Sequence, residues 1–185
     1  MVLASISWVA DALITGFIPT ALLLFASRML WGNYRQVISQ MGLFANILLL
    51  LGALLFLLSA VGDIAVSVAV GDEYEQYAML NRITGPYWFA YTGAILCKGL
   101  LPQLLWLKRV RRSLARTALL LPFLLIDYWL PILYGLLPHR DYLPSSWAML
   151  SPNPYVLAAA SLAYLLLYVL LFVVARKLSL VSGNG

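Results

Sequence analysis

Four ionisable side chains interrupt the long apolar stretches of this chain: Asp11, Asp63, Lys98 and Asp127. A charge at the centre of a bilayer costs about 3 kcal/mol or more, so such residues persist where they pair, line a cavity or pass protons. Lys98 and Asp127 each lie about ten residues from the basic segment that joins their stretches. In helices both then sit roughly 15 Å deep. A short connection makes the two helices antiparallel neighbours, and a Lys98–Asp127 ion pair is the expected result, since pairing lowers the penalty on each charge. Such a pair acts either as a register lock between helices or as a relay station for protons. Asp63, roughly 12 Å from the opposite face, extends the pair into a path of carboxylates. Asp63, Lys98 and Asp127 are therefore expected to face one internal cavity. Asp11 falls about one turn inside its stretch and reads as an interfacial charge that snorkels to water.

A second polar group occupies the connections. One runs Gly71-Asp72-Glu73-Tyr74-Glu75-Gln76-Tyr77 and continues to Asn81-Arg82; the other holds His139, Arg140 and Asp141. Residues of these types cap helices and dock a peripheral subunit, bind a metal, or steer a partner. His139 suits proton uptake, because an imidazole titrates in the physiological range. The single cysteine, Cys97, excludes a disulfide or a thiolate metal site made by this chain alone, and the single histidine excludes a haem held by two of its histidines. The expectation is no catalytic residue, no metal ligand set and no cofactor bound by this chain alone.

The background makes these residues conspicuous. Of 185 residues, 63% are hydrophobic and only 10% are Asp, Glu, Lys or Arg, whereas soluble domains carry roughly 25% charged residues. Mean hydropathy is +0.91. Soluble enzymes, nucleic-acid binders and disordered tails are excluded, and the solvent is a lipid bilayer. Apolar stretches at 8–30, 41–70, 86–107, 117–137 and 155–175 are long enough to cross hydrocarbon. They must be helical, because lipid offers no partner to an open sheet edge, and a run such as 48–58 lacks barrel alternation. The predicted fold is an all-α transmembrane bundle of about five spans, forming a single domain over residues 1–185.

Charge sets the orientation. Arg28, Arg35, Lys108, Arg109, Arg111, Arg112, Arg116, Arg176 and Lys177 fall on one side, nine of the 12 basic residues. That side is cytoplasmic, which places the N-terminus outside and the C-terminus inside. The net charge of +5 is then an orientation and anionic-lipid signal, and no nucleic-acid partner is expected. Trp8, Trp88 and Trp147 mark outer ends, Trp31 and Trp106 inner ones. Pro19, Pro102, Pro122 and Pro131 lie within spans and can kink them. No basic residue precedes the first span, which reads as a retained helix instead of a cleaved leader.

The order Tyr74-Glu75-Gln76-Tyr77, Asn81-Arg82, Gly85-Pro86-Tyr87-Trp88, Pro102-Gln103-Leu104-Leu105-Trp106 and His139-Arg140-Asp141-Tyr142-Leu143-Pro144-Ser145-Ser146-Trp147 resembles the NrfD-like family of polysulfide-reductase membrane subunits. Within it, the chain looks closest to the large membrane subunits of alternative complex III, and it is similar to their C-terminal bundle alone. The resemblance implies a multi-pass subunit in a bacterial inner membrane, belonging to a quinol-linked respiratory or electron-transfer complex. It implies a peripheral iron–sulfur or haem-bearing partner above the outer face and quinone or quinol at a shared site. Glu75, Arg82, His139, Arg140 and Asp141 would then serve docking or stand near the quinol, and Asp63, Lys98 and Asp127 would carry protons. The chain departs from the family where an adjacent Glu–Arg pair is expected before the His139 loop; Trp129 and Leu130 stand there. A stand-alone or dimeric carrier of a small lipophile or ion is the alternative from another class.

Overall fold

The structure, a computed structural model, describes residues 2–30, 34–85, 88–130 and 154–182, and every regular element among them is helical. Val2–Leu30 forms α1 and Arg35–Ala69 forms α2, helices of 29 and 35 residues that are long and apolar enough to cross a membrane. At 1.5 Å per residue α2 measures about 50 Å, more than a bilayer's hydrocarbon of about 30 Å. Pro154–Ser182 forms the last helix, here α8, and it opens on a proline, whose fixed φ and missing N–H suit a helix's first turn.

Between α2 and α8 the helices are short and irregular. Glu73–Thr84 forms α3, a helix where hydropathy shows only a polar connection. Asp72 caps it, its carboxylate accepting the Glu75 amide at 2.7 Å. Glu73 and Glu75 in the first turn and Arg82 in the last complement the helix dipole. Trp88–Ala94 forms α4 and runs on as a π-helical stretch, Ile95–Leu100, and a 3-10 stretch, Leu101–Trp106. Lys108–Arg111, Leu114–Ala118 and Leu121–Leu124 form α5, α6 and α7. After a turn at Leu125 helix resumes over 126–130. The single span expected from residue 117 onward is thus broken at both ends of α7.

The core lies where α1, α2 and α8 meet. Ile14 and Phe17 of α1, Leu48 and Leu49 of α2, and Tyr164 and Tyr168 of α8 are buried there, joined from the irregular segment by Leu105 and Leu124. Small residues allow the close approach. A Cβ on Gly16 would fall 2.3 Å from Cβ of Tyr164, and one on Gly52 would fall 2.8 Å from Cβ of Leu13, the small-residue contact that lets apolar helices pack backbone to backbone. Tyr168 adds a polar tie, donating its hydroxyl to the Met41 carbonyl at 3.1 Å.

A second tie fixes the basic segment. Asn46, buried on α2, donates its amide to the Arg111 carbonyl at 2.7 Å and to Thr117 Oγ1 at 3.0 Å. Thr117 donates in turn to the Ser113 carbonyl at 3.1 Å. One side chain therefore pins both flanks of the turn that joins the Lys98 helix to the Asp127 helix. The outward faces remain apolar: Leu22 and Leu23 on α1, Leu51 and Leu58 on α2, and Leu162, Leu166 and Leu170 on α8 are all exposed.

Candidate functional site

Pro102 shapes the site. It has no N–H to donate, and in an α-helix its ring would press on the carbonyl of Lys98, four residues earlier. The chain responds by widening before it and tightening after it: Leu101 N–H reaches back five residues to the Leu96 carbonyl, and the 3-10 stretch follows. Gln103 steadies the change. Its side-chain amide donates to the Gly99 carbonyl at 2.9 Å, while its oxygen accepts from the Trp106 indole at 3.0 Å. Gly99 is buried, where a side chain would collide with Leu57 of α2. The Pro102-Gln103…Trp106 element singled out in the sequence thus holds a widened helix turn, a feature that recurs at functional sites.

Lys98 sits in that widened turn. Its ammonium hydrogen-bonds the Asp127 carboxylate, lies 3.8 Å from Asp11 Oδ1, and stands 5.8 Å from the centroid of the Phe56 ring. The last contact is in cation–π range. The Lys98 side chain is 12% exposed, that of Asp127 32%, and that of Asp11 51%. Asp127 comes from the 126–130 segment that restarts after Leu125. Trp129, two residues on, donates its indole N–H to the Pro122 carbonyl at 2.6 Å, tying this segment back to α7. Trp129 therefore has a structural role.

The lysine and the aspartate expected to pair do meet. The third partner differs from the expectation: Asp11 takes the place beside Lys98 that Asp63 was expected to share. α1 begins at Val2, six residues before its apolar stretch, and Asp11 lies about 13 Å along it. Asp63 sits seven residues beyond Phe56 on α2, about 10 Å along the axis. It lines a separate cleft of about 420 Å³ with Tyr74, Glu75, Met79 and Arg82 of α3. Glu75 and Arg82 are thus brought together at one end of α2, with Asp63. His139, Arg140 and Asp141 lie outside the described residues. Among the described residues no three His, Cys, Asp or Glu side chains converge as a metal site.

No protein-family model matches the chain, and no curated protein matches it.

Proposed function

We propose that this chain is a multi-pass subunit of a quinol-linked respiratory or electron-transfer oxidoreductase in a bacterial inner membrane, and that its lysine–aspartate centre handles protons. One observation carries the proton part: Lys98 stands between two carboxylates, bonded to Asp127 and 3.8 Å from Asp11, within a widened helix turn. An ammonium within reach of two acceptors offsets a proton gained or lost at either one, so charge need not build up in a medium that tolerates it poorly. The leucine-covered outer faces of α1, α2 and α8 support a hydrocarbon surround, because on a soluble helix those positions carry charge. The distribution of basic residues supports five spans with the N-terminus outside.

The redox part is supported by the sequence elements that resemble NrfD-like subunits. In this reading Glu75, Arg82, His139, Arg140 and Asp141 meet an iron–sulfur or haem-bearing partner on the outer face. Asp63 lines the cleft at that face with Glu75 and Arg82. Quinol binds at a site completed by another subunit, and the chain itself supplies no catalytic residue. Affinity purification of the tagged chain from its native membrane in mild detergent is expected to bring iron–sulfur or haem polypeptides with it. Recovery of the chain by itself, as a stable homo-oligomer free of redox centres, contradicts the subunit reading and favours a carrier.

A further inference from the structure

We propose that Asp11 is the residue at which the centre exchanges its proton, with Lys98 and Asp127 as the standing pair of opposite charges beside it. The assignment rests on the proton reading above and adds the site of exchange. Two carboxylates share one ammonium, so full ionisation leaves one negative charge without a partner, and an uncompensated charge away from water is the costliest arrangement. One proton on a carboxylate removes it.

Geometry chooses between the two. Asp127 is hydrogen-bonded to Lys98, while Asp11 Oδ1 at 3.8 Å is beyond hydrogen-bond range of the same nitrogen. Asp11 is also the less enclosed of the two by the protein, its side chain 51% exposed against 32%. The titratable groups around Asp11 are Lys98 from the π-helical stretch and Asp127 and Tyr128 from the 126–130 segment. From α2 the centre receives only the Phe56 ring among the contacts of Lys98. In the exchange the O–H bond of the Asp11 carboxyl breaks, its electron pair stays on the carboxylate, and the proton passes to a water. Lys98 then stabilises the new anion, and no group changes oxidation state.

Infrared difference spectroscopy between acidic and alkaline buffer tests this on the purified complex in lipid nanodiscs. A protonated carboxyl gives a C=O stretch that vanishes on ionisation and shifts when aspartate becomes glutamate. Glutamate variants are the informative ones: each keeps the charge count, whereas an asparagine at either position leaves one carboxylate for one ammonium and removes the proton altogether. The expected result is a titrating band that shifts in Asp11→Glu and stays in place in Asp127→Glu and Asp63→Glu. A band that shifts with Asp127→Glu or Asp63→Glu, or no titrating band at all, overturns the assignment. The second of these would leave Asp11 permanently ionised, as beside a partner's cation. The readout does not depend on proton transport, so a shifting band in a complex that moves no protons would end the proton-path reading while leaving the Asp11 assignment in place.

Discussion

Lys98→Met is expected to destabilise the protein by about 3 kcal/mol, at the low end of the range for breaking a buried ion pair because Asp127 keeps a third of its side-chain surface exposed. The methionine fills most of the same volume, so the loss comes from the carboxylates left behind and from the forfeited Phe56 contact, and little of it comes from a cavity. Two carboxylates would face each other across the site with no cation between them. Removing one of those charges should therefore restore stability: Lys98→Met with Asp127→Asn is expected to recover about 1–2 kcal/mol relative to Lys98→Met alone. Unfolding free energies of the two single variants and the double variant in lipid bicelles check this. Additive losses would mean that the two side chains do not interact.

Gly16→Ala is expected to cost about 2 kcal/mol through a different mechanism. The added Cβ would lie 2.3 Å from Cβ of Tyr164, an atom fixed by the α8 backbone that no side-chain rotation moves. Forced overpacking of this kind costs about 3 kcal/mol, and alanine's better helix propensity offsets about 1 kcal/mol of it. Tyr164 is buried at the meeting of α1 and α8 and stacks on Tyr168, so its displacement spreads to the bond from Tyr168 to Met41. Gly62→Ala is the matched control. The nearest atoms to its new methyl belong to the Leu3 side chain, closest at the Cδ2 tip, which can swing aside, and its stability should stay within about 1 kcal/mol of the parent. Thermal unfolding of the two variants side by side separates them. Equal midpoints would show that α1 and α8 are not packed at Gly16.

The parts of this structure that follow from hydropathy were legible in the sequence. Uninterrupted apolar stretches gave α1, α2 and α8, because length and composition alone decide where a helix of this kind forms. Counting residues from the basic segment placed Lys98 and Asp127 at one depth, and they meet. The approach of Asp11 to Lys98 was not legible, because it joins residues far apart in the chain. The α3 helix was missed although Asp72 with Glu75 three residues later is a helix-start signal; its polar surface carried no hydropathy signature. Pro102 announced a disturbance, but whether a helix kinks, widens or tightens at a proline depends on its neighbours. Here Gln103, Trp106 and the contact of Gly99 with Leu57 decide it, and that contact joins residues far apart in the chain. The approach of Gly16 to Tyr164 is hidden for the same reason.

The role proposed for the Lys98 centre is to handle protons. Protons moved per electron, measured with the purified complex reconstituted in sealed vesicles under quinol-driven turnover, test it most directly. Asp127→Asn is expected to lower that ratio severalfold while electron transfer continues and the subunits stay assembled. A ratio unchanged from the parent, at equal turnover, would contradict the account and leave Lys98, Asp127 and Asp11 as a lock between helices.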